Sequence, residues 1–163
     1  MSIRASLAVV TQPQEPDGFV LPEIAVTADV VLFASGPGQL QILLVERRFD
    51  PFRGSLALPG GFVDEDEGLE EAARRELFEE TGVELPPGSL RQLGAYGAPG
   101  RDPRMRVVTV AFWASVGQSP DPKEGSDAAA ARMVPLADVM ANPAKLAFDH
   151  HRIIEDARSQ AGY

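Results

Sequence analysis

The stretch RRELFEETGV, residues 74–83, places three glutamates near the C-terminal end of a predicted helix. Helical periodicity covers residues 68–81, and Gly82 supplies the stop. Glu76 and Glu80 are like-charged neighbours four residues apart, which costs about 0.2–0.5 kcal/mol. Carboxylates in a last turn also face the negative end of the helix dipole, at a cost of roughly 0.3–1 kcal/mol. Such a helix needs either full solvation or a nearby positive charge.

The three glutamates, Glu76, Glu79 and Glu80, lie on the side of the helix that its small apolar residues mark for packing. At about 100° per residue, the residues within about 60° of Glu76 are Leu69, Ala72 and Ala73. Phe78 points elsewhere, which predicts that the helix packs on more than one side. Full solvation does not suit a stripe that leads inward. Divalent cations relieve the repulsion, and Mg²⁺ suits a site of few carboxylates completed by water and phosphate.

The rest of the chain alternates apolar, β-branched runs with turn signals. Runs 24–34 and 40–48 flank the turn SGPG and predict paired strands. Further segments are a broken apolar run at 56–63, strands at 90–97, 106–116 and 130–136, and short helices at 136–141 and 149–159. Strands outnumber helices and mix with them, which predicts an α+β domain with a curved mixed β-sheet. Residues 1–22 are predicted to form an arm or lead-in, and residues 23–163 a single domain.

The charge balance limits the partners of the chain. Fifteen Lys and Arg stand against 24 Asp and Glu, a net charge of −9. Such a surface repels nucleic-acid backbones and anionic membranes, so neither partner is expected. No segment suits a signal peptide or a membrane span, and the absence of cysteine agrees with a cytoplasmic location. An anionic ligand would need a metal ion or clustered arginines.

The glutamates belong to a longer pattern over residues 61–83, GFVDEDEGLEEAARRELFEETGV. It resembles the Nudix box: Gly, five residues, Glu, seven residues, then Arg-Glu-aliphatic-x-Glu-Glu-x-Gly-aliphatic. The matching positions are Gly61, Glu67, Arg75, Glu76, Leu77, Glu79, Glu80, Gly82 and Val83. The resemblance implies an α/β/α sandwich that hydrolyses nucleoside diphosphates linked to another moiety, with Mg²⁺ or Mn²⁺ as the cofactor.

The resemblance also implies roles for individual residues. Glu76 and Glu80 are implied metal ligands, and Glu79 is implied to be either a ligand or a catalytic base. The carbonyl of Gly60 would complete the metal's ligands. Arg75 would orient a glutamate through a charge-assisted hydrogen bond.

Residues 97–113 resemble the loop and strand of Nudix ADP-ribose pyrophosphatases. Three arginines lie within RDPRMR, residues 101–106, of this acidic chain. Arg101 and Arg104 are the predicted substrate-binding residues, because the arginine fork matches a phosphate. The alternative is a solvated turn in which Asp102 is their partner.

Two further segments carry candidate residues. Glu124 and Asp127, in an acidic loop, are candidate general bases, although surface solubility explains them equally well. In the tail at 146–157, Asp149 is expected to cap the last helix. His150 and His151 are expected to be packing or surface residues.

Together these resemblances imply a Mg²⁺-dependent hydrolase that cleaves ADP-ribose to AMP and ribose 5-phosphate. Other nucleotide sugars, dinucleotides and oxidised nucleoside triphosphates are alternative substrates. A non-catalytic nucleotide sensor is the alternative of another class, since some relatives serve as effector domains of transcription regulators. The intact box, the net charge and the short segment after residue 145 argue against a sensor. The arm is expected either to add a strand to a partner subunit, giving a homodimer, or to lie on its own domain.

Overall fold

The structure is a computed structural model that describes residues 22–36, 38–123 and 128–163. The predicted arm therefore lies almost entirely outside the described residues, as do Glu124 and Asp127. The strands are β1 (Ala25–Gly36), β2 (Gln39–Arg47), β3 (Leu56–Ala57), β4 (Gly60–Phe62), β5 (Arg91–Tyr96), β6 (Val107–Val116) and β7 (Ala128–Pro135). The helices are α1 (Leu69–Thr81), α2 (Leu136–Ala141) and α3 (His150–Ala161), with a short 3₁₀ turn at Pro143–Lys145.

The seven strands form one mixed sheet. Its main path is β3-β2-β1-β6-β5, with β4 pairing beside β1 and β7 beside β2. The β1–β6 pair is parallel and the other pairs are antiparallel. The predicted pairing of the first two strands is confirmed, with Phe33 opposite Ile42. No helix in the described part of the chain is long and apolar enough to cross a membrane.

Strand β1 divides the core into two layers, because successive side chains in a strand point to opposite faces of the sheet. One layer packs β1 against α1 through Ala28, Val30, Leu32, Ala72, Ala73 and Leu77. The other packs β1 against α3 through Val31, Phe33, Ile153, Ile154 and Ala157. Helices therefore cover both faces of the sheet, and the predicted α+β class with an α/β/α sandwich is confirmed.

Helix α1 ends as the sequence predicts. Gly82 adopts φ 69°, a left-handed conformation that favours glycine, and its N–H donates to the Phe78 carbonyl. The Phe78 ring is half-exposed, so Phe78 does not supply the second packed side of α1 that the sequence predicts. The buried residues of α1 are Ala72, Ala73, Leu77 and Thr81. This stripe leaves Phe78 on the neighbouring, solvated side of the helix.

Candidate active site

A cavity of about 450 Å³ lies where β1, β2, β4, α1 and the loop between β5 and β6 meet. Its size falls within the range of about 300–1,000 Å³ that is typical of small-molecule sites. Its wall includes six residues of the predicted site or of the box: Gly60, Gly61, Glu76, Glu80, Arg101 and Arg104. The fold therefore brings together predicted residues that lie up to 44 positions apart in the sequence.

The turn between β3 and β4 forms one edge of this cavity. The Leu58 N–H donates to His150 Nδ1 at 2.9 Å, and the Val30 N–H donates to the Pro59 carbonyl at 2.9 Å. The Gly60 N–H donates to Glu80 Oε2 at 3.1 Å. A side chain at Gly60 would collide with Asp29 and with the backbone of β1. The turn is thereby held against both the sheet and helix α1.

Glu76 occupies the space that the missing side chain of Gly61 leaves. A Cβ at Gly61 would lie 2.5 Å from Cδ and Oε1 of Glu76. The Glu76 side chain is 16% exposed, and Arg75 Nη1 donates to its Oε1 at 2.7 Å. Burial raises the pKa of Glu76 above its usual value, although the hydrogen bond from Arg75 opposes that rise. A bound cation would relieve this cost of burying a carboxylate.

Arg75 holds several acidic residues of the box together. Its Nε and Nη2 donate to the two oxygens of Glu67 at 2.9 and 2.6 Å, and Nη2 also donates to the Phe62 carbonyl at 3.0 Å. Nη1 reaches Glu79 at 3.3 Å as well as Glu76. The hydrogen bond between Glu67 and Arg75 is the largest influence on both groups, lowering the pKa of Glu67 and raising the pKa of Arg75. We call Arg75, Glu67, Glu76 and Glu79 the Arg75 cluster.

The three glutamates of the opening pattern do not converge equally. Glu76 and Glu80 line the cavity, whereas the Glu79 side chain is half-exposed and does not line it. Arg75 Nη1 bridges the two carboxylates, since it donates to Glu76 in the cavity wall and to Glu79 outside it. Glu79 therefore stays a predicted ligand or base rather than a residue that this geometry brings to the cavity.

The donor set at the cavity fits a small divalent cation. Among the described residues, no group of three or more acidic, histidine or cysteine side chains is placed to hold a metal ion. Glu76 and Glu80 line the cavity as a pair. Mg²⁺ needs only one or two carboxylates, because it keeps several waters and takes further oxygens from substrate phosphates. The described contact of Gly60 is made by its N–H, so the role of its carbonyl stays a prediction.

Arg101 and Arg104 both line the cavity, but each already has a carboxylate partner. Arg101 makes two-pronged contact with Asp149, with Nη2 to Oδ1 at 2.6 Å and Nε to Oδ2 at 3.0 Å. Arg104 makes a similar contact with Asp102, at 2.6 and 3.0 Å. Asp149 is the N-cap residue of α3, as expected, although its side chain makes no capping hydrogen bond. Its carboxylate binds Arg101 instead of the helix N–H groups.

Several cavity residues were missed by sequence reasoning. Arg47 and Arg48 follow one another at the end of β2, and both line the cavity. Burial and the charge of Arg104 lower the pKa of Arg47, which lies 4.8 Å from the centre of the Phe148 ring. The signal was a pair of arginines directly after an apolar strand, in LLVERR. These residues add positive charge to a cavity in an acidic protein.

Asp29 and His150 are further buried polar residues in the cavity wall that the sequence analysis did not select for the site. The Thr109 hydroxyl donates to Asp29 Oδ2 at 2.5 Å and so gives this buried carboxylate a hydrogen-bond partner. The Leu58 N–H donates to His150 Nδ1, so this nitrogen carries no proton, and burial lowers the pKa of His150. The sequence signal for Asp29 was a single acidic residue within the run TADVVLF.

Comparison with known proteins assigns the class. The NUDIX domain model matches residues 23–157 of the chain. The chain therefore belongs to the NUDIX domain family, and the resemblance of residues 61–83 to the Nudix box is confirmed. Hydrolases of this family generally use a divalent metal.

Two curated proteins are similar to much of the chain. The ADP-ribose pyrophosphatase of Methanocaldococcus jannaschii is 46% identical over 116 residues, 71% of this chain and 64% of that protein. The ADPR responsive transcriptional repressor NtrR of Acinetobacter baylyi is 35% identical over 163 residues, 96% of this chain and 62% of that protein. The chain thus spans less than two thirds of the length of both relatives.

A solved structure has the same fold. The NUDIX domain of Shewanella oneidensis NrtR, in complex with ADP ribose, superposes with a TM-score of 0.78 and 39% sequence identity. The match covers 90% of this chain and 93% of that domain.

Proposed function

We propose that this protein is a Mg²⁺-dependent Nudix hydrolase that cleaves the pyrophosphate of ADP-ribose to give AMP and ribose 5-phosphate. The observation that carries the proposal is that Glu76 and Glu80 of the box line the same cavity as Arg101 and Arg104, which lie in the loop between β5 and β6. A pyrophosphate substrate needs both groups, because its negative charge must be neutralised before water can attack phosphorus.

Glu76 and Glu80 would hold the divalent metal, Mg²⁺ or Mn²⁺. When bound, this ion neutralises phosphate charge and lowers the pKa of a bound water. Arg75 keeps the Glu76 carboxylate in place through the 2.7 Å hydrogen bond. Glu79 is one candidate base, since its half-exposed side chain can leave Arg75 without unfolding the helix. Glu124 and Asp127, outside the described residues, are the alternative bases.

The arginines would bind the substrate rather than take part in chemistry. Arg101 and Arg104, with Arg47 and Arg48 beside them, line the cavity. Guanidinium groups bind phosphate oxygens in pairs. The ADP-ribose assignment is supported by the loop at residues 97–113 and by the names of two relatives, an ADP-ribose pyrophosphatase and an ADP-ribose-bound domain.

A substrate screen tests this function directly. Purified protein is assayed against ADP-ribose, other nucleotide sugars, dinucleotides and oxidised and ordinary nucleoside triphosphates, each with Mg²⁺, Mn²⁺ or excess chelator. The expected result is metal-dependent release of AMP, fastest from ADP-ribose. Failure to cleave any of these compounds with either metal would refute the hydrolase assignment. Faster cleavage of another class would replace ADP-ribose as the substrate.

A nucleotide sensor is the second candidate function. The similarity to the repressor NtrR, at 35% identity, and to the ADP-ribose-bound NrtR domain favours it. A sensor would bind ADP-ribose, measured by calorimetry, without releasing AMP in the presence of Mg²⁺. We further propose that the chain does not bind nucleic acid, given its net charge of −9. Ligand-dependent retention of DNA by the protein would contradict that proposal.

We propose a cytoplasmic location, and for the arm either a strand added to a partner subunit, which would give a homodimer, or a position on its own domain. The hypothesis rests on the apolar segments of residues 1–22, almost all of which lie outside the described residues. Light scattering on the full-length chain and on a chain lacking residues 1–18 tests it. A monomer in both cases would exclude a dimer formed through the arm.

A further inference from the structure

We infer that Asp149, which does not itself line the cavity, is a positioning residue that sets the orientation of Arg101 for an anionic ligand. This inference rests on the proposed function and deepens it. It assigns a role to an acidic residue at the start of α3 that neither the box nor the substrate loop contains.

The first observation is the burial of the Arg101 side chain, which is only 4% exposed although it lies in a loop between β5 and β6. A guanidinium group is always charged, and burying it requires a paired anion. Asp149 supplies that anion through three contacts shorter than 3.3 Å, with Nη2 to Oδ1 and Nε to both oxygens. Arg101 nevertheless lines the cavity, whereas Asp149 does not.

The second observation is the geometry of the guanidinium fork. Arginine has five N–H donors, and Asp149 engages Nε and Nη2. The Nη1 edge makes none of these contacts. A planar group held along one edge has a fixed orientation, so the opposite edge faces a defined direction. This arrangement suits a phosphate group, which arginine binds through two parallel N–H groups.

The third observation is that the Asp149 carboxylate makes no capping hydrogen bond to α3. An aspartate at the capping position of a helix normally accepts a hydrogen bond from an N–H of the first turn. The Asp149 side chain makes no such bond, although it occupies that position at the start of α3. The helix therefore forgoes a common stabilising contact, while its carboxylate extends to a residue 48 positions earlier in the chain.

The fourth observation is that Asp149, whose ion pair with Arg101 we call the tether, adjoins a well-packed helix. Helix α3 is fixed in the core by Ile153, Ile154 and Ala157, each fully buried. The adjacent His150 is held by the hydrogen bond from the Leu58 N–H at 2.9 Å. Binding groups that are supported by packed elements hold their orientation better than groups supported by a loop alone.

The neighbouring arginine shows the contrast within one loop. Arg104 pairs with Asp102, only two residues away, and its side chain is 43% exposed. Both partners of that ion pair belong to the same loop, so the pair does not link the loop to another element. Arg101, in contrast, is bound to a different element of the fold, which makes Asp149 the residue on which its orientation depends.

A double-mutant cycle on the full-length protein tests the inference. Asp149→Asn keeps the size of the side chain but removes its charge. We expect it to raise KM for ADP-ribose about tenfold, with kcat changed less than about threefold, because uniform binding is lost rather than chemistry. In the Arg101→Ala background, Asp149→Asn should have no further effect on KM. Additive effects of the two substitutions would overturn the inference, since Asp149 would then act without Arg101.

Asp156→Asn is the matched control. Asp156 lies on the same helix and accepts a hydrogen bond from the Tyr96 hydroxyl at 2.8 Å, away from Arg101. It should leave KM unchanged. If Asp149→Asn does not fold, Asp149→Glu carries the test, because it keeps the charge but displaces it by one methylene. A KM equal to that of the wild type in the substituted protein would overturn the inference.

An NMR measurement separates this inference from the proposed function. The Nε–H signal of a buried, paired arginine is protected from exchange with water. Asp149→Asn should abolish the protection of the Arg101 signal, while Asp156→Asn should preserve it. If the wild type neither binds nor cleaves ADP-ribose but the protection depends on Asp149, the proposed function fails and the tether stands. If the wild type cleaves ADP-ribose and neither KM nor the signal depends on Asp149, the positioning role of Asp149 is refuted while the proposed function is retained.

Discussion

Replacing Gly61 with alanine should disable the site while the fold stays intact. The added Cβ would lie 2.5 Å from Cδ and Oε1 of Glu76 and 2.7 Å from Oε2, whereas ordinary contacts begin near 3.4 Å. The carboxylate must therefore retreat by roughly 1 Å, and a misplacement of that size at a reacting centre costs on the order of a hundredfold in rate. The retreat also disturbs the 2.7 Å hydrogen bond from Arg75.

Steady-state kinetics on ADP-ribose with saturating Mg²⁺, together with thermal unfolding, measure this effect. We expect kcat/KM to fall about a hundredfold if Glu76 holds the metal as proposed, because its carboxylate would then be displaced at the reacting centre. The melting temperature should change little, because the displaced atoms belong to a carboxylate at the cavity and not to the apolar core. Undiminished kcat/KM in Gly61→Ala would refute the role given to Glu76.

Two other glycines provide the controls for this experiment. A Cβ at Gly68 meets nothing within 4 Å, so Gly68→Ala should retain activity although it lies in the same box. A Cβ at Gly60 would lie 2.8 Å from the Cα of Asp29 and closer still to other atoms of β1. Gly60→Ala should therefore lower the melting temperature. Equal loss of activity in Gly61→Ala and Gly68→Ala would show that the effect of Gly61→Ala does not come from the contact with Glu76.

Three further predictions follow from the site. Glu80→Gln should lower kcat by orders of magnitude with an unchanged circular dichroism spectrum, because a charged ligand is lost; full turnover by this variant would contradict the metal assignment. Arg104→Ala should lower kcat/KM for ADP-ribose about ten- to a hundredfold, from a charge-assisted bond worth roughly 1.5–3 kcal/mol, and calorimetry should find metal affinity unchanged. Burial lowers the pKa of His150, so below its usual value of 6.5 the unfolded state takes up the proton first, and the free energy of unfolding should fall as pH drops below 6.5. His150→Gln should flatten that slope in urea titrations, and an identical slope in both proteins would exclude His150 as its source.

The parts of the fold that the sequence predicted are those set by local rules. Helix α1 and its end at Gly82 follow from helical periodicity and from a backbone conformation that glycine adopts readily. The pairing of β1 with β2 follows from two apolar runs joined by a short turn. The α/β/α arrangement came from the resemblance of the box to a known family, since strand order alone allows several sheets.

The parts that the sequence did not predict depend on contacts between distant residues. Asp149 was assigned to the helix that follows it, because a capping role is local, whereas its actual partner Arg101 lies 48 positions away. The expected packing of His150 is confirmed, since it is buried beside Phe148, but its hydrogen bond from the Leu58 N–H, 92 positions away, was not predicted. Neither partner can be found from spacing along the chain. The sequence also placed Glu79 on the same side of the helix as Glu76 and Glu80. Helical angle alone does not show that the Glu79 side chain accepts a hydrogen bond from Arg75 outside the cavity.

The Arg75 cluster has a consequence for the order in which the protein is assembled. Because Arg75 is part of the chain, the positive charge that Glu67 and Glu76 require is present as soon as the helix forms. Folding therefore need not wait for a divalent ion, and the ion would meet a finished framework. We therefore expect that removing divalent ions leaves the protein folded and its resistance to proteolysis unchanged.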